Sequence, residues 1–152
     1  MTDQGWDRVA DCGHGVSVGS QFSCDDRGHE FDRRIHIQYP DQPPPCRHVR
    51  PGDLCITAVE KQPLGFELLD RLAEFARQPE SLYVHCRAGM CRGPTVAVVA
   101  LVARGLTVGQ AMGAVADAMV SQYRWFPLAP EFYQPVINEV YQWANERVAR
   151  AA

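Results

Sequence analysis

The chain has 152 residues and a formal net charge of −3 at pH 7. That length suits one domain with a real core, and so mild a negative balance leaves no electrostatic footprint for nucleic acid. The opening MTDQGWDR is polar and carries acids, unlike a secretory or transit leader, and the longest apolar run, PTVAVVALVA, is about half a membrane span. The expectation is a single domain over residues 1–152, soluble, cytoplasmic and monomeric, with neither a membrane nor a nucleic-acid partner. Lys61 is the only lysine, and six cysteines, at positions 12, 24, 46, 55, 86 and 91, are read as reduced thiols because nothing marks a secreted disulfide scaffold.

In chain order, Val16 and Val18 alternate with polar residues in GVSVGS, a short strand. RIHIQY, residues 34–39, alternates as well and puts Ile35, Ile37 and Tyr39 on one face. The prolines of DQPPPCRHVRPGD mark an exposed loop. Phe66, Leu68, Leu69, Leu72, Phe75 and Ala76 then fall at helical spacing, in a helix that stops before Pro79. SLYVHC, residues 81–86, is a buried strand. TVAVVALVAR is apolar nearly all round, which predicts a buried helix ended by Gly105. Thr107 caps a helix over about 108–120, and a last helix begins near Pro130, with Pro135 delaying or bending it. The order strand, strand, helix, strand, helix, helix, helix is α/β: a central sheet flanked by helices. The chemistry is expected between a central strand and the buried helix, where ligands of open α/β sheets bind.

That junction reads HCRAGMCRGPT, residues 85–95. A thiol at a helix N-terminus meets the positive end of the dipole and unpaired N–H groups, a setting that favours thiolate and binds anions. Cys86 is the candidate nucleophile. Arg92, five intervening residues on, offers the planar two-pronged cation that fits phosphate. Gly89 permits a tight turn and close backbone approach, so the backbone of Arg87, Ala88, Gly89, Met90, Cys91 and Arg92 can cradle phosphate oxygens.

The loop resembles the C-x5-R signature of the cysteine-dependent protein tyrosine phosphatase superfamily. His85, Gly89, Pro94 and Thr95 extend the likeness toward the dual-specificity branch, H-C-x-x-G-x-x-R-[ST]-x-T. RIHIQYPDQPPP resembles the strand and acid loop of that group, and YRWFPLAPEFYQPVINEVYQW its final loop and helix. The resemblance covers residues 30–145 and implies a dual-specificity phosphatase-like fold with no metal or organic cofactor. It implies hydrolysis of a phosphorylated protein or small phosphoester through a cysteinyl-phosphate. In the family the histidine in the place of His85 lies under the loop and supports the thiolate, and the acid is an aspartate just after the strand that precedes the long helix. Asp41, after RIHIQYP, takes that place; its 45-residue distance from Cys86 exceeds the usual spacing, and Asp53, 33 residues before Cys86, is the alternative. Rhodanese sulfurtransferases, the rival enzyme class, also begin their loop Cys-Arg-x-Gly, but their arginine usually comes one residue earlier.

Two residues depart from the pattern. The family usually has Ser or Thr after the arginine, with a hydroxyl bonded to the cysteine sulfur; here Gly93 has none. Losing one charge-assisted hydrogen bond slows phosphoenzyme breakdown by about 10–100-fold if felt in full. A catalytically impaired phosphate-binding or substrate-trapping module is therefore the second hypothesis, with Thr95 a possible substitute hydroxyl. Cys91 beside Arg92 resembles the low-molecular-weight tyrosine phosphatases, which implies a protective 86–91 disulfide under oxidation. No segment resembles the phosphotyrosine-recognition loop of deep-pocket enzymes, so a shallow pocket rimmed by Tyr123, Trp125 and Phe126 is expected. Inside the loop only Arg87 adds a cation, which disfavours a highly charged lipid headgroup. Cys12, His14, Cys24, His29, Cys46 and His48 crowd the N-terminal third without the spacing of a zinc finger, and no metal is expected.

Overall fold

The computed structural model describes residues 9–38, 40, 49–59, 61–86, 92–122 and 132–148. Among them run β1 (Ala10–Asp11), β2 (Val16–Gly19), α1 (Gln21–Arg27) with a 3-10 turn at Gly28–Glu30, β3 (Arg33–Gln38) and β4 (Leu54–Thr57). Then follow α2 (Phe66–Ala76), β5 (Leu82–His85), α3 (Arg92–Ala103), α4 (Val108–Gln122), α5 (Gln134–Trp143) and a π-helical turn at Ala144–Val148. The sheet order is β1-β2-β5-β3-β4; β1 is antiparallel to β2 and every other pairing is parallel. This is one α/β domain with a mixed five-stranded sheet and flanking helices.

Local chemistry explains the boundaries. Gly13, His14 and Gly15 all have positive φ, 82°, 54° and 76°, and Asp11 Oδ1 accepts from Gly13 N at 2.9 Å, which closes the β1–β2 hairpin. Thr107 and Gln110 cap α4 reciprocally: Gln110 N donates to Thr107 Oγ1 at 3.1 Å and Thr107 N to Gln110 Oε1 at 3.0 Å. Gly105, at φ 110°, ends α3 as expected. The last helix starts at Gln134 rather than near Pro130, and Pro135 sits in its first turn, where a missing N–H costs nothing.

Besides the two-residue β1, two elements escape the pattern reading. α1 is seven residues long, mostly polar, and has no stripe to detect; Ser20 starts it by accepting from Ser23 N. β4 is a four-residue edge strand whose Cys55 and Thr57 are exposed, so no buried run announces it.

Strand periodicity divides the sheet into unlike faces. Ile35 and Ile37 of β3 and Leu82 and Val84 of β5 join the main core with Leu69 and Leu72 of α2 and residues 96–102 of α3. The alternate residues Arg34, His36, Tyr83 and His85 point the other way and are also buried, at 2% exposure or less. Val9, Cys24 of α1 and Tyr83 form a small apolar cluster on that second face, with Phe31 packed against it.

Candidate active site

Cys86 follows β5 directly, and the described chain resumes at Arg92, the first residue of α3. Cys86 is 2% exposed. Gly93 N, in the first turn of α3, donates to Cys86 Sγ at 3.3 Å. The helix N-terminus therefore serves the sulfur itself through a backbone N–H. A Cβ at position 93 would stand 3.4 Å from Sγ, 3.5 Å from Cys86 N and 3.3 Å from Val18 Cγ2. The glycine gives the sulfur room to approach the helix.

Arg92 is 9% exposed, with Nη1 3.4 Å from the carbonyl of Ala58, the residue after β4. It lines a pocket with Val59, Lys61, Gln62, Leu64, Thr95, Tyr133 and Val136. Thr95, the expected supporting hydroxyl, thus faces the arginine's pocket. Lys61, held at φ 66° with Nζ 4.9 Å from the centre of the Tyr133 ring, adds a cation that motif reasoning missed. Only the β4–α2 loop's position in space reveals it.

His85 is fully buried. Its Nε2 lies 2.6 Å from His36 Nδ1, and its Nδ1 3.4 Å from the Cys86 carbonyl. His36 Nε2 lies 2.8 Å from Asp53 Oδ2, which also accepts from Arg34 Nε at 2.9 Å and from Arg50 N at 2.9 Å. Burial pushes the Asp53 carboxyl up; the bonds from Arg34, His36 and the Arg50 N–H outweigh it and hold the group below the ordinary carboxylate range.

That placement corrects Asp53 as an alternative acid. Leu54 pairs with Ile35 and His36 with His85, so Asp53 is level with Arg34 and Cys86 with Ile37. Three residues of strand separate the levels, roughly 10 Å. Asp53 stands near the wrong end of the sheet, and its side chain, 1% exposed, is committed to a buried ion pair. Asp41, the phosphate-loop residues Arg87 to Cys91, and the expected rim of Tyr123, Trp125 and Phe126 lie outside the described residues. The strand that precedes the long helix is β4, not β3.

Of the N-terminal cysteines and histidines, Cys46 and His48 lie outside the described residues. Burial first, then Asp11, pushes the Cys12 thiol up to about 12, and His14 and His29 are exposed. Among the described residues Cys24, His36 and His85 bring one sulfur and two nitrogens within 4.8 Å of one another. At 2.6 Å the two nitrogens are hydrogen-bonded to each other; tetrahedral ligands of one zinc ion would stand about 3.3 Å apart. Cys12, Cys24, Cys55 and Cys86 form no disulfide with one another.

No protein-family model and no curated protein sequence matches the chain. Solved structures do. A mouse dual specificity phosphatase complexed with zinc tungstate is 17% identical, with 94% of this chain and 90% of that one covered and a TM-score of 0.71. PTPMT1 in complex with PI(5)P is 18% identical over 97% and 99%, with a TM-score of 0.73. The human tyrosine phosphatase-like serine/threonine/tyrosine-interacting protein is 14% identical over 95% and 98%, at 0.67. The chain has the dual-specificity phosphatase-like fold of the cysteine phosphatases. At these identities the likeness is one of fold, and chemistry is argued from the site.

Proposed function

We propose that this protein hydrolyses phosphomonoesters through a cysteinyl-phosphate intermediate, with phosphorylated protein as the first substrate class. The observation that carries the proposal is the contact of Cys86 Sγ with the first turn of α3, beside Arg92. A thiolate there is stabilised by helix N–H groups, and the same groups suit a phosphate. Sγ attacks phosphorus while the bond to the leaving oxygen breaks, and a carboxylic acid gives that oxygen a proton. Water then attacks phosphorus, the carboxylate takes the proton back, and the sulfur leaves as thiolate. Arg92 holds two phosphate oxygens through both steps, and the backbone of 87–91 completes the cradle.

For the acid two carboxylates compete. Asp41 follows β3, whose carboxyl end lies beside Cys86 in the parallel sheet. Glu60 follows β4, the strand before the long helix, and its neighbours Val59 and Lys61 both line the Arg92 pocket. That double coincidence supports Glu60 ahead of Asp41. A poor leaving group is needed to read it: with phenyl phosphate, loss of the acid costs about 10²–10⁴-fold in kcat. The expected pattern is no turnover in Cys86→Ser, a loss of that size with no falling alkaline limb of the pH profile in Glu60→Gln, and a small change in Asp41→Asn. The reverse order would return the acid to Asp41, and undiminished turnover in Cys86→Ser would end the proposal.

The second reading, a phosphate-binding or substrate-trapping module, is favoured by Gly93 alone. One structural neighbour is named as an interacting protein, so the fold does not decide between the two. If Cys86 protein binds tungstate or a phosphopeptide yet releases no phosphate, the module is the better account. Lys61 beside Arg92 leaves room for a second anionic group, and the neighbour solved with PI(5)P makes a soluble phosphoinositide headgroup the natural competitor substrate to assay.

A further inference from the structure

The segment 58–65, between β4 and α2, lies against Arg92 and is held at both ends. At its start Ala58 N donates to Gln38 O at 3.0 Å, and Ala58 O lies 3.4 Å from Arg92 Nη1. Val59, Lys61, Gln62 and Leu64 then line the Arg92 pocket. At its end Leu64 N and Gly65 N donate to Glu139 of α5, to Oε1 at 2.8 Å and to Oε2 at 3.0 Å. Gly65 is the N-cap of α2 and has no side chain to close the turn, so a carboxylate from 75 residues along the chain stands in.

Local preference does not account for the shape of this segment. Lys61 and Gly65 have φ of 66° and 90°. Glycine takes that region freely and lysine avoids it, so the shape at Lys61 persists where surrounding contacts impose it. Within the segment the Gln62 N to Val59 O bond is long, at 3.3 Å. Gly65 is the natural hinge, and both N–H groups bound by Glu139 lie on the segment's side of it. The helix that carries Glu139 is a fixed platform: Val136, Ile137, Val140 and Trp143 are buried, and Trp143 Nε1 donates to Asp70 Oδ1 of α2 at 2.8 Å. α2 is therefore joined to α5 without Glu139, and the carboxylate acts on the segment before it.

We propose that Glu139 is a positioning residue: its carboxylate fixes the far end of the segment 58–65 and so keeps Lys61, and the acid that the segment carries, in register with Arg92. Charge-assisted bonds from two N–H groups to one carboxylate are of the strong kind. The clamp stands on those two bonds; its consequence for turnover rests on the phosphatase reading and on Glu60 as the acid.

The test compares Glu139→Ala with the wild type in the full chain. Amide hydrogen exchange at Leu64 and Gly65 is expected to rise on the order of tenfold, with the amides of Leu72 and Val99 unchanged. The ratio kcat/KM reports the steps through departure of the leaving oxygen. It is expected to fall about tenfold with phenyl phosphate and to stay within about twofold with dinitrophenyl phosphate, whose leaving oxygen needs no added proton. Equal falls with the two esters would make Glu139 a merely structural residue and overturn the proposal, as would unchanged exchange at Leu64 and Gly65. Glu60→Gln, measured beside it, separates the readings. An ester-dependent loss there with none in Glu139→Ala overturns the positioning role; no such loss in Glu60→Gln overturns the acid assignment and the catalytic half of the proposal with it. If the wild type releases no phosphate, the phosphatase reading has failed, and the exchange rates still decide on the clamp. If Glu139→Ala does not fold, Glu139→Gln, which keeps one of the two acceptors, is read in the same way.

Discussion

The two faces of the sheet are equally buried and held by different forces. On one, Ile35, Ile37, Leu82 and Val84 meet the helices α2 and α3 through apolar contact alone. On the other, Arg34, His36, Asp53 and His85 are as dry, but each is held by a named partner. Apolar contact is non-directional and degrades gradually when atoms are removed. A buried charge network is stable only while every member is present. The charged face is the brittle one, and the apolar face, which also holds the Cys86 side chain, is the tolerant one.

The sharpest way to break that contrast is Asp53→Ala. It strips the anion from Arg34 and His36 and is expected to cost about 3–5 kcal/mol, read as the fall in urea-unfolding free energy. Such a loss is a large share of the ~5–15 kcal/mol typical of a domain. On the apolar face Leu72→Ala, which empties a fully buried site in α2, is expected to cost about 2–5 kcal/mol and to leave the unfolding cooperative. If the aspartate variant proves the milder by a wide margin, the network contributes less than the geometry implies.

Acid separates the faces as well. Asp53 has a folded value held below its unfolded one, so its contribution is fully present above the unfolded carboxylate range near 3.9 and is lost as pH falls through the lower folded value. Urea midpoints between pH 7 and pH 3 should fall more steeply for the wild type than for Asp53→Asn, with the gap closing below about pH 4. Leu72→Ala, which touches no titrating group, should run parallel to the wild type. The smallest effect belongs to Ile37→Val, about 0.5–1.5 kcal/mol and independent of pH.

This contrast also marks what was legible beforehand. Alternation in RIHIQY placed Ile35 and Ile37 on a core face, and the helical spacing from Phe66 to Ala76 placed α2, because both signals are apolar and periodic. The places of Cys86 after β5 and of Arg92 at the start of α3 were legible because an apolar strand and an apolar helix flank the loop between them. Arg34 and His36 were not: a polar residue alternating with isoleucine looks solvated until Asp53, 17 residues past His36, folds back onto it. β4 was invisible because four residues at a sheet edge bury too little. Val59 and Lys61 reach the Arg92 pocket only in three dimensions.

The most direct test of the central claim, that Cys86 Sγ takes the phosphoryl group, is acid quenching within milliseconds of mixing the reduced protein with p-nitrophenyl phosphate, followed by peptide mass mapping. The account predicts phosphate on Cys86, matched by a burst of nitrophenol that Cys86→Ser lacks. Nitrophenol released at the same rate by wild type and Cys86→Ser, with the Cys86 peptide unmodified, would contradict it.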